Sequence, residues 1–507
     1  MVLDWIDITL CVAYLLVVFG LAIWSARGQH DNEEYFLGGR RMNWFVVGMS
    51  MFATSFSSIS FLGLPQRGAF QDFSFYFTIL LIPFLITPIL WWLFVPFYVR
   101  LGLSSGYEYL GKRFGRPIQR IGSLLYAAYA IGWMGTMLYA VALTLQTVLG
   151  LTDTEYIWAL IGIGAFATAY TALGGFKAVV WTDMVQAIVM GVAVVAIFAL
   201  ALKRIDGGFD AFLRIGLESG KFRMFHLDSD LLAVENFTAS NTVFTAIAFA
   251  IFMYLPGYAV SQNMIQRYVC AGSVRNGRGV VGLSALTNAG LGLIFMAVGT
   301  VLFVFYNQPG GAGMPQAGIE IAKEDQILPY FVSTQLAGTG LSGLLMAGLF
   351  AAAMSTVDSG INGVTSVIVY DWLSGRALPV TFSRILTVLL GAAVIGAALL
   401  APVIGENVLG IITAIAGTSL GMILAVFLLG MFVSRANMPG VLIGLSAGLI
   451  CLAAAMLFAN IPNWWLGVFA FFPTLIVGMV TSYFWRESER KSQGKDHIPQ
   501  KEPQHDE

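Results

Sequence analysis

Apolar runs of roughly 20 residues follow one another along this chain almost without pause, and about that length is what an α-helix needs to cross a bilayer. They fall near 5–26, 43–64, 73–99, 121–148, 155–174, 178–202, 241–264, 278–306, 338–370, 381–403, 408–433, 437–459 and 464–485, thirteen in all. In hydrocarbon every backbone N–H and C=O must find a partner within the chain, so runs of this kind fold as helices packed into a bundle. Composition points the same way: 58% of the 507 residues are hydrophobic and 11% charged, against about 25% charged in a soluble domain. The expected fold class is an all-α polytopic membrane protein with about thirteen transmembrane helices. No basic stretch precedes the first run and no small-residue cleavage site follows it, so it reads as a retained span.

Several function classes fall away. With Lys+Arg 27 against Asp+Glu 28 the net charge is -1, which leaves no basic surface for nucleic acid. Cys11, Cys270 and Cys451 lie far apart, without disulfide-framework or metal-site spacing. The four histidines, His30, His226, His497 and His505, sit outside the apolar runs, so haem, di-iron and zinc chemistry within the membrane are not expected. A primary pump would need a phosphate loop, and an enzyme or sensor a catalytic constellation or output domain; none is visible. A passive channel would need a continuous polar lining, whereas the polar residues here gather on three spans.

Loop charge sets an orientation. Twenty of the 27 basic residues fall in one set of alternate loops, among them Arg40, Arg41, Lys112, Arg113, Arg267 and those after Arg486. The other side holds Arg67, Lys323 and five residues in or beside the loop 204–240. The positive-inside bias therefore places the N-terminus outside and the C-terminus in the cytoplasm. The multi-pass chain is expected in the plasma (inner) membrane, acting as a single chain in the lipid bilayer.

Polar residues inside a span are costly and by default line a site. In the ninth run Ser355, Asp358, Ser359, Asn362 and Ser366 share one helix stripe, with Thr356 at its edge. Carboxylate and hydroxyl oxygens of this kind suit a small alkali cation rather than a softer metal. The second run carries Ser50, Thr54, Ser55, Ser57, Ser58 and Ser60 around its whole circumference, which suits an unwound stretch with free carbonyls, buried in protein. The seventh is interrupted by Tyr254-Leu-Pro-Gly-Tyr258, where Pro256 removes an amide and Gly257 tolerates the resulting geometry. Pro256 and Gly257 are the expected hinge. The two broken runs are five spans apart, the spacing of inverted repeats with a site between corresponding breaks. Asp183, in the sixth run, is the remaining intramembrane acid. Phe73, Phe75, Tyr76 and Phe77 read as an interfacial aromatic belt.

Gly174-Gly-Phe-Lys-Ala-Val-Val-Trp-Thr-Asp-Met-Val-Gln186, Ser261-Gln-Asn-Met-Ile-Gln-Arg267 and Ala352-Ala-Met-Ser-Thr356 resemble the sodium:solute symporter family over roughly the first eleven spans. The resemblance implies a leucine-transporter-like fold of five-plus-five inverted repeats and alternating access driven by a sodium gradient. It implies a principal sodium site made of the carbonyls of Ala53, Phe56 and Ala352 and the hydroxyls of Ser355 and Thr356. A second sodium site would draw on Asp183, Ser355, Asp358 and Ser359, with Asp358 a carboxylate where the family has a hydroxyl. The solute positions it implies are Ser55, Ser57, Ser60, Phe75, Phe77, Trp133, Tyr254 and Tyr258. Sialic acid carriers place an arginine where this chain has Trp133. Ala53-Thr-Ser-Phe-Ser-Ser-Ile-Ser-Phe-Leu-Gly-Leu-Pro65 is similar to the branch carrying monocarboxylates, vitamins and iodide. The expected activity is therefore sodium symport of a small organic solute, a monocarboxylate or related organic anion, with sugar, sialic acid, amino-acid or proton-coupled transport as alternatives.

The expected organisation is an extra helix and first inside loop over 1–42, a first repeat over 43–203, an outside loop over 204–240 and a second repeat over 241–433. Two further helices follow over 434–485, then a charged, disordered cytoplasmic tail, 486–507, without apolar periodicity.

Overall fold

The computed structural model describes residues 4–27, 29–226, 237, 239, 242–308, 310–319, 321, 323–336, 338–373, 378–404, 406–458 and 465–495. The chain runs through α1 (Trp5–Ser25), α2 (Asn32–Leu37), α3 (Trp44–Ser55), α4 (Ser58–Phe70), α5 (Ser74–Leu101), α6 (Glu108–Phe114) and α7 (Arg116–Leu149). It continues through α8 (Asp153–Leu202), α9 (Gly208–Glu218), α10 (Val243–Val260), α11 (Gln262–Cys270), α12 (Val274–Asn307) and α13 (Ile327–Gln335). The last helices are α14 (Leu341–Trp372), α15 (Val380–Ile404), α16 (Glu406–Phe432), α17 (Met438–Phe458) and α18 (Leu466–Lys495).

Among the described residues ten helices are long and apolar enough to cross a membrane, eleven if the bent pair α3–α4 counts as one span. The sequence count of thirteen is larger for two reasons. The runs at 155–174 and 178–202 are joined in the 50-residue α8, which turns at Gly175 (φ 55, ψ -156). The run at 408–433 falls on the 27-residue α16 (Glu406–Phe432), of which only Thr418–Phe432 enters that count. Glycine is required at 175: a Cβ there would lie 2.6 Å from the Tyr35 carbonyl oxygen, and the left-handed φ favours a residue without one. Short helices α9 and α13 lie in the loops between spans, and α18 continues as helix to Lys495 into the charged tail.

Proline shapes two spans in a regular way. Thr87-Pro88, Val95-Pro96 and Leu255-Pro256 each follow a π-turn, in which the Thr87, Val95 and Leu255 amides reach back to the carbonyls of Ile82, Leu90 and Ala250. A proline ring clashes with the carbonyl four residues before it; widening the turn moves that carbonyl aside and lets the helix continue. Pro256 therefore does not break its span. The helix is interrupted at Ser261 (φ -79, ψ 135), between α10 and α11, five residues after Pro256, which with Gly257 was the expected hinge.

Packing places α14 at the centre: 89% of its apolar window is buried, against 22% for α1. Its polar stripe therefore faces protein rather than lipid. α8 packs most extensively on α14, and both halves of the broken span, α3 and α4, lie on α12. The start of α14 is tied to α1 through Gly343 N–H, which donates to Asp7 Oδ1 at 2.7 Å.

Candidate functional site

The second run ends its first helix at Ser55. Phe56 (φ -99, ψ 92) and Ser57 (φ -82, ψ 169) are extended, and α4 leaves at 66° to α3. Serine and threonine compete for backbone partners and are weak helix formers, so a segment with six of them gives way here rather than in the leucine-rich runs. The Ala53 carbonyl, at the last turn of α3, accepts a hydrogen bond from Ser355 Oγ at 3.0 Å. Ser355 Oγ also donates to the Ala352 carbonyl at 3.3 Å, as does Thr356 Oγ1 at 3.2 Å. Ala53, Ala352, Ser355 and Thr356 are thus gathered in one buried layer, with Phe56 at the break beside it. The set is made of neutral hard oxygens, the donor type that suits an alkali cation. A hydroxyl that donates to a carbonyl presents the same oxygen as a ligand once its proton turns away.

Of the four residues expected to form a second sodium site, Asp183 and Ser359 meet, while Ser355 and Asp358 have other partners. Asp183, fully buried, accepts from Ser50 Oγ (2.6 Å), from Arg267 Nη2 (2.8 Å) and, at longer range, from Thr54 Oγ1 (3.3 Å) and Ser359 Oγ (3.4 Å), all on Oδ2. Arg267 is 0% exposed. Its Nη2 also donates to Thr54 Oγ1 (2.6 Å) and Ser359 Oγ (2.7 Å), its Nε to Ser50 Oγ (3.0 Å) and its Nη1 to the Asn263 carbonyl (2.6 Å). The Arg267 guanidinium thus bridges Asp183 and Ser359, two of the residues expected at a second sodium site. Ser355 turns instead to Ala53, and Asp358 accepts from Tyr170 Oη at 2.5 Å. Arg267 is the functional residue that loop counting misplaced: it stands just past the seventh apolar run and was assigned to an inside loop. The signal was the motif ending in it, a strongly polar stretch directly after a span.

One cavity of about 700 Å³ opens from the break. Ser55, Ser57, Ser60, Phe75, Trp133, Tyr254 and Tyr258 all line it, together with Phe56, Thr356, Gly257 and Asn288. Phe77 does not. α5 presents Phe75, Ile79 and Ile82 to the cavity, and a residue two positions from Phe75 points about 200° away on a helix. The Phe77 ring packs on Phe225 instead, centroids 5.0 Å apart. Asn288, which the sequence reading left out, donates to Ser55 Oγ at 2.8 Å and to Tyr258 Oη at 3.4 Å; it joins α12 to both broken spans. Trp133 stacks on Tyr129, with ring centroids 6.3 Å apart, so the α7 wall is aromatic. The far end of the cavity carries Arg67, Lys323 and Asp325.

The profile of the sodium:solute symporter family matches residues 35–448. The sodium/sialic acid symporter NanT of Aliivibrio fischeri is 27% identical over 486 residues, covering 94% of this chain and 92% of that protein. The sodium-coupled monocarboxylate transporter 1 of Homo sapiens is 31% identical over 442 residues, 83% of this chain and 68% of that one. Among solved structures, a substrate-bound, outward-open Na+-coupled sialic acid symporter superposes with a TM-score of 0.83 at 26% identity, covering 95% of this chain and 98% of that one.

Proposed function

The chain belongs to the sodium:solute symporter family, and on that premise we propose that it imports a small organic anion, with one sodium ion held across the α3–α4 break. It is a sodium-coupled, multi-pass carrier and not an enzyme. The finer reading assigns the ion to the carbonyls of Ala53, Phe56 and Ala352 and the hydroxyls of Ser355 and Thr356, and the solute to the cavity beside them. The observation that carries it is a shared boundary: Phe56 and Thr356 belong to the oxygen set and also line the cavity. An ion that fixes these two residues fixes part of the solute's binding wall. A ligand shifts a conformational equilibrium only as far as it binds the two states unequally, and an ion bridging α3 to α14 favours the state in which those helices meet.

The anion assignment draws on two supports. The sialic acid and monocarboxylate carriers that the chain resembles are named for carboxylates. The resemblance to NanT extends over nearly all of that protein, whereas the match to the monocarboxylate transporter is confined to about two thirds of it; this moves the preferred solute from a simple monocarboxylate toward a larger acid. With Arg67 and Lys323 at its mouth, on the side that loop charge puts outside, the cavity faces outward. In the second cluster Arg267 supplies the positive charge itself, so a single sodium ion suffices.

The test is uptake of N-acetylneuraminate and of pyruvate into proteoliposomes under an imposed sodium gradient. Ser355→Ala and Thr356→Ala are each expected to raise the sodium concentration for half-maximal uptake by about tenfold, the equivalent of ~1.4 kcal/mol of ion binding. Sodium dependence unchanged in both variants would remove the ion from this site.

A further inference from the structure

We propose that Arg67, near the outer end of α4, is the group that grips the negative charge of the solute and makes the cavity select an acid over its neutral counterpart. The proposal rests on the organic-anion reading above and assigns the residue that recognises the charge. Arg67 lines the cavity, and its guanidinium carbon lies 4.2 Å from the centroid of the Phe75 ring. Among the described residues its one hydrogen bond to protein is long, from Nη1 to Gln71 Oε1 at 3.3 Å. Among the described residues no carboxylate lies within ion-pair distance of it, and its Nε and Nη2 have no protein acceptor. Arg267 shows what a structural guanidinium looks like in this bundle: all three of its nitrogens donate to protein acceptors, and a carboxylate is paired to it. Arg67 has the opposite arrangement, a fork of donors turned to the cavity and left open.

The surroundings make that fork selective. Phe75 holds one face of the guanidinium by a cation–π contact, which limits its rotation before a ligand arrives. The planar fork matches a carboxylate with two parallel hydrogen bonds. Lys323 and Asp325, also on the wall, carry opposite charges, and Glu324 accepts from the cavity-lining Gln66 at 2.8 Å, so the selectivity comes from the open Arg67 fork and not from a net positive charge at this end. Ser60, Gly63 and Arg67 follow one another at helical spacing on the cavity face of α4. Ser60 lies about 10 Å below Arg67 along the axis, so an acid gripped at Arg67 extends its remaining polar groups toward the hydroxyls at the break.

The test uses the purified full-length protein in detergent with sodium, and three acids each beside a neutral partner: N-acetylneuraminate and its methyl ester, nicotinate and nicotinamide, pyruvate and pyruvamide. Binding is read as ligand-dependent thermal stabilisation over a concentration series. Arg67→Gln is expected to weaken the acid that stabilises the wild type by at least about tenfold and to leave its neutral partner unchanged, with Arg67→Lys in between. Stabilisation by sodium alone, retained in Arg67→Gln, reports that the variant is folded. Acid binding as tight in Arg67→Gln as in the wild type, or acid and neutral partner weakened alike, overturns the role of Arg67 while leaving the anion reading intact. A wild type stabilised by neutral solutes, or by none of the acids, overturns the anion reading itself.

Discussion

The two halves of the broken span are pinned by different cations. α3 is held by Arg267, whose guanidinium reaches Ser50 and Thr54 and pairs with Asp183 in a layer closed to solvent. The C-terminal end of α4 is held by Lys221, whose Nζ donates to the carbonyls of Ala69 (2.6 Å) and Gln71 (2.8 Å) and lies 4.0 Å from the Phe303 ring centroid. Beside it Asp72 accepts from the Ser74 amide at 3.0 Å and pairs with His226 at 2.5 Å. A guanidinium keeps its charge at any accessible pH and spreads its donors over several partners; here it ties α3, α8, α11 and α14 into one unit. An ammonium is a point charge that loses its proton more readily when buried. The α3 half of the span is thus part of the frame that carries the oxygen set, and the α4 half, with Ser60 and Arg67, ends at a clasp built on one ammonium.

The comparison breaks most sharply at Arg267. Taking one partner from a buried ion pair leaves the other charged and alone, at a cost of about 3–5 kcal/mol, whereas replacing both by apolar groups is often tolerated. Arg267→Met is expected to lose most of its folded yield and to melt far below the wild type in detergent without sodium. Asp183→Leu combined with Arg267→Met is expected to recover part of that stability. A double variant no better than Arg267→Met alone would show that the guanidinium holds α3 through its serine and threonine contacts rather than through the acid.

How much of this was legible in the sequence follows the range of each interaction. The break in the second span was readable because its cause is local: Ser50 to Ser60 crowd one short segment with poor helix formers. The seventh span was known to be broken, yet the break was placed too early, because a π-turn at Ala250–Tyr254 absorbs Pro256 and nothing in residue type announces such a turn. Phe77 was carried over with Phe75 from the family resemblance, although two positions on a helix face nearly opposite ways. The pairing of Asp183 with Arg267 spans 84 residues and depends on how α8 and α11 pack, which no local pattern encodes. Asp358 was visible as a departure from its family; its partner, Tyr170, was not.

Asp358, on α14, sharpens the comparison from the other side, as a carboxylate in the same fixed unit that makes no ion pair among the described residues. Its Oδ2 accepts from Tyr170, and its Oδ1 has no partner. Asparagine keeps the acceptor for Tyr170 and the same shape, so Asp358→Asn is expected to shift the melting temperature little, by less than about 1 kcal/mol of stability. If the acid contributes to ion handling, the sodium concentration for half-maximal uptake shifts several-fold in the same variant. Uptake identical to wild type at every sodium concentration and pH rejects that contribution.

The smallest effect belongs to the clasp. Burial pushes the Lys221 ammonium down from 10.5 to about 8, against the opposing pull of Asp72. The unfolded chain, with its ordinary lysine, binds more protons than the folded one between those two values, so this group's contribution to stability rises as pH climbs from about 8 to 10.5. Below pH 8 the cost of burying the charge is present in full, offset in part by the hydrogen bonds to Ala69 and Gln71. Lys221→Met removes both the bonds and the titration. The stability gap between wild type and variant is expected to widen in favour of the wild type across that window, by about 1 kcal/mol once solvent screening at the rim is allowed for. Melting curves of the two proteins at pH 7 and at pH 10 measure it, and comparing the gaps cancels the tyrosines and other groups that titrate in both. A gap that stays constant would mean that the ammonium is as well solvated in the folded carrier as in the unfolded chain, and that the two halves of the span are held with equal rigidity.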